Sequence, residues 1–269
     1  MLKYRQPLLL SDILGGMNVV LTGFGKMGRE LYSVLVSRGH NVIGVVDPFS
    51  LDARVTNKTL EAPLFKNADV VIDFSSPDNA VENIKKYIDY SIPAIIGTTG
   101  WVDRLEEVKT YGEGKDVRVM YSGNYSIGVA LFLKLCRKAG ELYGKVAGYD
   151  ASIYEVHHTE KKDSPSGTAL MVAEALLDTM PGKEKILLGN SEGKIEKESL
   201  QISSVRVGKT PGVHSVIFDS DADTITLTHT ARSRAGFALG AVMAAEWIKD
   251  TGRRGILTLD DYLNETFGE

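Results

Sequence analysis

Cysteine is nearly absent from this chain. Cys136 is the one thiol in 269 residues, which excludes an internal disulfide framework and any zinc or iron–sulfur site built from several cysteines. No apolar run approaches the ~20 residues of a membrane helix, and no repeat of roughly 20–50 residues recurs, so a solenoid is excluded. An excess of positive charge is also missing. Thirty-one Lys and Arg against 35 Asp and Glu give a formal charge of −4, which offers no electrostatic footprint for nucleic acid. What is present is ordinary for a globular chain: 43% hydrophobic and 25% charged residues, enough for one large core or two smaller ones. A reducing cytoplasm is the expected compartment.

The first sixteen residues, MLKYRQPLLLSDILGG, contain Lys3, Arg5 and the Leu8–Leu10 triplet. That triplet is far shorter than a signal peptide's core of roughly 7–15 residues. Residues 1–16 read as a surface arm or upstream extension before a domain that opens at Met17.

From Met17 to about Ser122, short Val- and Ile-rich runs alternate with segments of helix length. Asn18–Thr22, Asn41–Val46, Asp69–Asp73, Ile92–Gly97 and Val117–Tyr121 suit parallel strands buried on both faces. Met27–Ser37, Asp78–Asp89 and Val102–Tyr111 are the intervening helices. The expected fold is an α/β, Rossmann-type doubly wound parallel sheet. After Asn124 the pattern changes. Helices at Ile127–Tyr143 and Thr168–Met180 and strands at Ala151–His157, Gln201–Val207, Val213–Phe218 and Thr224–His229 predict a second α+β unit with a mixed or antiparallel sheet. Lys183–Lys197 reads as an exposed loop or hairpin. Ala235–Ile248 is an Ala- and Gly-rich helix suited to close docking.

Two segments carry chemistry. Gly23-Phe24-Gly25-Lys26-Met27-Gly28 is a G-x-G-x-x-G between a strand and a helix. In that context Gly23 permits the tight turn, Gly25 lets a pyrophosphate approach the backbone, and Gly28 lets helix and strand pack closely. The helix start offers free N–H groups and partial positive charge to the anion. Asp47 ends the second strand, where a carboxylate would bind the adenosine ribose hydroxyls and repel a 2′-phosphate. NADH is therefore favoured over NADPH, with Lys26 and Arg29 placed to assist NADPH in part.

The second segment is Glu155–Ala169, which holds His157, His158, Lys161, Ser166, Gly167 and Thr168. Adjacent histidines at a strand end can offer one imidazole for proton transfer and another for hydrogen bonding. Ser166 is placed to cap a helix whose first N–H groups, at Gly167 and Thr168, form an anion site, with Lys161 adding charge. Each feature also has a plain structural reading as a surface pair, a cap or a solvated lysine. Their concentration in one segment favours a small substrate carrying carboxylates. No metal site is expected, because the histidines lack i, i+4 spacing and no carboxylate or cysteine set completes one.

These residues resemble the 4-hydroxy-tetrahydrodipicolinate reductase family. Its motif E-x-H-H-x-x-K-x-D-x-P-S-G-T-A is present in full from Glu155 to Ala169. Supporting matches are Gly23–Gly28, Asp73-Phe74-Ser75-x-Pro77, Gly97-Thr98-Thr99-Gly100, Asn124-Tyr125-Ser126, Arg206-x-Gly208, Gly212-x-His214 and the His229–Ala241 stretch. The resemblance implies NAD(P)H-dependent reduction of 4-hydroxy-tetrahydrodipicolinate, with loss of water, in lysine and diaminopimelate biosynthesis. It implies His157 as general acid with Lys161 as its charged partner, and substrate carboxylates held by His158, Lys161, Ser166, Gly167 and Thr168. Met27, Phe74, Gly97, Thr99, Asn124, Tyr125 and Ser126 join Gly23, Gly25, Lys26, Gly28 and Asp47 around the cofactor. It further implies a homotetramer, closure on ligands, and a nucleotide-binding domain of residues 17–127 completed by 235–269. Residues 128–234 would form the substrate-binding and oligomerisation domain. The chain departs from the family at Lys26, where Arg is frequent, and at Ser122-Gly123 before the Asn-Tyr-Ser segment. Another amino- or imino-acid dehydrogenase, or an NAD(H)-binding sensor, would share the Gly-rich turn without needing the whole Glu155–Ala169 motif.

Overall fold

In the computed structural model, which describes residues 15–268, the Val- and Ile-rich runs form a six-stranded sheet. It contains β1 (Asn18–Thr22), β2 (Asn41–Val46), β3 (Val70–Asp73), β4 (Ala94–Ile96), β5 (Arg118–Tyr121) and the chain's last strand, β11 (Gly255–Thr258). The order is β11-β5-β4-β3-β1-β2 and every pairing is parallel. Strand order reverses beside β1, so a crevice opens at the carboxyl ends of β1 and β3, where such sheets bind ligands. Most of the expected arm, residues 1–14, lies outside the described residues.

Helices α1 (Lys26–Ser37), α2 (Ala62–Phe65), α3 (Pro77–Asp89) and α4 (Leu105–Gly112) accompany these strands. In α3, Ala80, Val81, Ile84, Tyr87 and Ile88 recur at helical spacing and are buried as one face. They share a core with Val20, Val71, Ile96 and Trp101. The last part of the chain returns here through α7 (Ala235–Asp250) and α8 (Leu259–Phe267). Buried Ala238, Gly240, Ala241, Ala244 and Ala245 give α7 a thin inner face. Glu246 of α7 accepts two hydrogen bonds from Arg38, each 2.8 Å, and lies 2.8 Å from His40 Nε2. His40 Nδ1 accepts the Met17 N–H at 3.2 Å, so its proton is on Nε2, facing the carboxylate.

The described chain divides into two units: one runs up to Ser126 and resumes at Phe237, the other is Ile127–Gly236. The second unit has α5 (Ile127–Tyr143) and α6 (Gly167–Thr179) and a mixed sheet. Its strands are β6 (Asp150–His157), β7 (Lys185–Leu188), β8 (Ser199–Arg206), β9 (Val213–Asp219) and β10 (Thr224–Thr230), in the order β10-β9-β6-β8-β7. β6 pairs parallel with β8 and antiparallel with β9. The expected loop at Lys183–Lys197 is corrected in part, since Lys185–Leu188 is an edge strand parallel to β8. It is only four residues long and sits among charges, which hides its pattern. The buried Lys183 ammonium donates to the Lys197 and Ser199 carbonyls, each at 2.8 Å, and ties the segment down. Cys136 lies in this unit's core, where burial pushes its thiol up to about 12. None of the described helices is long and apolar enough to cross a membrane.

Candidate functional site

The Gly-rich turn follows β1 and opens α1. Gly23 has φ +88°, and a Cβ there would lie 2.3 Å from the Phe74 carbonyl oxygen. A Cβ on Gly28 would lie 2.1 Å from the Gly23 carbonyl oxygen. Both positions exclude a side chain because backbone already fills the space. Gly25 differs: a Cβ there would meet nothing within 4 Å. It caps α1 with no side-chain hydrogen bond, and the first N–H groups of the helix have no intrahelical acceptor. This is a cradle that fits a pyrophosphate, with Lys26 exposed beside it.

Asp47 closes the turn from β2. Its Oδ2 accepts the Phe24 N–H at 2.7 Å, and its Oδ1 accepts those of Phe49 and Ser50 at 2.8 and 2.7 Å. Burial works to raise its pKa, but these three donors, helped by Lys58, outweigh it and hold the carboxyl below its ordinary value. Asp47 thus shapes the turn. Sequence reading missed Arg54, whose guanidinium lies over the rings of Phe24 and Tyr32 and pairs with Asp52 at 2.8 Å. Asp52 also faces Arg29 at 3.3 Å.

The other expected cofactor residues gather at the carboxyl ends of β3, β4 and β5. Met27, Phe74, Gly97 and Thr99 line a cavity of about 180 Å³ together with Ser75, Pro77 and Thr98. A Cβ on Gly97 would be 2.0 Å from the Phe74 ring, so glycine there is what admits that ring. Beneath them Asp73, fully buried, accepts from Ser75 N–H, Thr98 Oγ1, Asn83 Nδ2 and Tyr87 OH at 2.7–3.1 Å. Asn124 Oδ1 accepts the Ser126 N–H, and Ser122 Oγ bonds the backbone of Asn124. Tyr125 turns inward, its hydroxyl donating towards the Ile96 and Met120 carbonyls. Its side chain therefore anchors the segment.

The second unit gathers its chemistry on one sheet face. Along that face the three central strands are apolar at one end and polar at the other. Ala151 and Ile153 lead to Glu155 and His157, Leu200 and Ile202 to Ser204 and Arg206, and Phe218 and Val216 to His214. The register sets Ser204, Glu155, His214 and His229 in one row across four strands, with His157 opposite Arg206. Glu155 is fully buried. Its Oε1 accepts from Arg206 Nη2 at 2.9 Å and from the Ser166 N–H at 3.2 Å. Its Oε2 lies 3.0 Å from His157 Nδ1 and 3.7 Å from His214 Nε2. The closer approach does not have the angle of a hydrogen bond, and it becomes an ion pair when His157 is protonated. Burial opposes ionisation of Glu155, but Ser166, Ser204 and Arg206 prevail and lower its pKa to about 2.

Ser166 caps α6, its Oγ accepting the Ala169 N–H and lying 3.0 Å from His214 Nε2. Gly167 faces open space, and it and Thr168 supply the free N–H groups of that helix start. Lys161 pairs with Asp163 at 2.8 Å, and His158 is half-buried beside it at the end of β6. Burial lowers the His157 pKa most, with Glu155 opposing. Burial also takes His214 down to about 4. Donor atoms of Glu155, His157 and His214 lie within 4.8 Å of one another. With Arg206 already on that carboxylate, the cluster is suited to holding a proton. Arg206, His214 and His229 appear in the sequence motifs without a role. Their signal is the period of two, which puts them on the face of Glu155 and His157.

A dinucleotide cradle at the switch point of a parallel sheet, with a second unit that collects histidines and cations around a helix start, defines an NAD(P)H-dependent oxidoreductase. Comparison with known proteins narrows this. Family models for the N-terminus and C-terminus of dihydrodipicolinate reductase match residues 17–125 and 128–263. A 4-hydroxy-tetrahydrodipicolinate reductase of Christiangramia forsetii is 36% identical over 251 residues, covering 93% of this chain and 99% of the relative. One from Methanoregula boonei is 36% identical over 253 residues, covering 91% and 96%. The dipicolinate-bound dihydrodipicolinate reductase of Paenisporosarcina sp. TG-14 has the same fold, with a TM-score of 0.74 at 22% identity over 90% of this chain and 97% of that one. The chain belongs to the dihydrodipicolinate reductase family.

Proposed function

We propose that this chain reduces 4-hydroxy-tetrahydrodipicolinate to tetrahydrodipicolinate with NAD(P)H and loss of water, in lysine and diaminopimelate biosynthesis. The observation that carries the reading is the buried Glu155–His157–His214 cluster beside the Ser166-capped start of α6. It sets a proton-bearing imidazole next to an anion site, as reduction of a dicarboxylate imine requires. The reduced nicotinamide, when bound, supplies hydride to ring C4 of the conjugated imine left by water loss. Charge then builds on nitrogen or the adjacent carbon, and His157 supplies the proton. Lys161, His158, Ser166 and the N–H groups of Gly167 and Thr168 hold the two carboxylates and orient the ring. Gly23, Gly25, Lys26, Met27 and Gly28 cradle the pyrophosphate, while Phe74, Gly97, Thr99 and Asn124–Ser126 flank the nicotinamide and its ribose. Asp47 makes NADH the favoured cofactor, and the enzyme works as a cytoplasmic homotetramer.

The test is substrate-dependent loss of nicotinamide absorbance, with substrate freshly made by the preceding synthase and NADH and NADPH run in parallel. Rapid oxidation is expected, faster with NADH, and Asp47→Asn should narrow the ratio. His157→Gln and Lys161→Ala should each lower kcat by about 10²–10⁴-fold while NADH still binds. Normal rates in both variants would remove the assigned roles. No turnover by protein that binds NADH would favour another amino- or imino-acid dehydrogenase.

A further inference from the structure

We propose that Glu155 is the positioning residue for His157: its buried carboxylate holds the Nδ1–H of the imidazolium, so that the second proton, on Nε2, is the one donated to substrate and the ring is left neutral with its Nδ1–H still on Glu155. This deepens the proposed function and rests on it. The geometry begins with the strand. Residues 155 and 157 share one face of β6, and the pair stands 3.0 Å apart, Oε2 to Nδ1, with Glu155 fully buried and His157 nearly so. Among the described residues neither of these two atoms has a hydrogen-bond partner. Two buried polar atoms left in that state cost free energy unless they answer one another. A proton on Nδ1 satisfies both, after a small turn of the ring that straightens the contact. Nε2 is on the other side of the ring, against Gly212, where any Cβ would come within 3.0 Å.

The carboxylate is itself held fast. Its second oxygen is engaged by Arg206 and by the Ser166 N–H, so the negative charge facing Nδ1 is fixed in place. Because Ser166 also caps α6, one carboxylate sets both the acid and the start of the anion-binding helix. The charged and titratable groups around His157 are Glu155 on its own strand, Arg206 on β8, His214 on β9, and Lys161 and Asp163 in the segment after β6. Arg206 and Lys161 disfavour a proton on His157, and Glu155 and Asp163 favour it. His214 faces the same carboxylate from 3.7 Å, but deeper burial keeps it neutral near pH 7. The Glu155 carboxylate is thus shared between Arg206 on Oε1 and His157 on Oε2.

The direction of the effect follows. A general acid works while protonated, so activity is lost as pH rises through its pKa. Removing the charge of Glu155 lowers that pKa and moves the limb to lower pH. The experiment titrates the His157 ring by NMR in free wild type, Glu155→Gln and Glu155→Asp, assigned with His157→Gln, and measures kcat against pH in the same proteins. In Glu155→Gln the midpoint and the kcat limb should move together to lower pH, with kcat at neutral pH down about 10²-fold. Glu155→Asp, with its shorter reach, should fall between. A merely structural role would lower melting temperature and kcat/KM with the limb in place. An unmoved or raised His157 midpoint overturns the proposal, and if Glu155→Gln does not fold, an unmoved midpoint in Glu155→Asp does so equally. A midpoint that falls in protein lacking reductase turnover would sink the proposed function and leave the pairing standing.

Discussion

Two helix starts, those of α1 and α6, both leave backbone N–H groups without intrahelical acceptors, and they are built in opposite ways. The first works by subtraction. Gly23 and Gly28 are required because backbone oxygens stand 2.3 and 2.1 Å from where a Cβ would be, and Gly25 caps the helix with no side chain at all. The second works by addition. Ser166 caps its helix through Oγ, Glu155 and His214 bond that serine, and Arg206 holds Glu155 in place. A bare cradle suits a pyrophosphate that every dinucleotide presents alike. A braced one suits the proposed substrate, which must also be protonated at a chosen atom.

Substitutions that respect one construction and violate the other sharpen this contrast. Gly23→Ala should have the largest effect. It places a side chain at φ +88° and against the Phe74 carbonyl, which costs about 1–3 kcal/mol for strain alone. Thermal melting should show the loss, and fluorescence titration should show NADH binding abolished. A variant that melts like wild type would break the argument from backbone crowding. Gly25→Ala comes next. Open space surrounds that position, so the melting temperature should hold while NADH affinity falls about tenfold, or about 1.4 kcal/mol. Equal losses at both glycines would erase the distinction between a packing glycine and a ligand-facing one. Ser166→Ala should cost least, about 1 kcal/mol of stability from the lost cap. Its mark should be a raised KM for the dicarboxylate with NADH binding untouched; a change in NADH binding instead would mean that the two starts are not separate devices.

The same contrast explains what could be read from sequence. The Gly-rich turn is legible because its residues are contiguous and its reason is local: a strand, a turn and a helix in a fixed order. The strands from Asn18 to Tyr121 are legible because burial on both faces leaves continuous Val and Ile runs. The second site is legible only in its contiguous part, Glu155 to Thr168. Arg206 and His214 reach it through strand register, and register is a property of tertiary pairing rather than of any one segment. Arg54 escaped notice for a similar reason, since it approaches Phe24 across a loop. β7 and β11 are four residues each at sheet edges, too short for a period to declare itself.

The route of the chain carries a last consequence. One unit ends at Ser126 and resumes at Phe237, and everything between belongs to the other. The second unit is therefore an insertion, a cassette carried inside a continuous nucleotide-binding frame. A gene fragment stopping at Ser126 would lack β11, leaving the edge of β5 unpaired, and would lack the Glu246 carboxylate that clasps Arg38 and His40. The frame can be made whole only by reading through the cassette or by splicing its two ends together. Natural change in the cassette thus leaves both ends of the frame untouched, while the frame itself must be inherited from both ends of the chain at once.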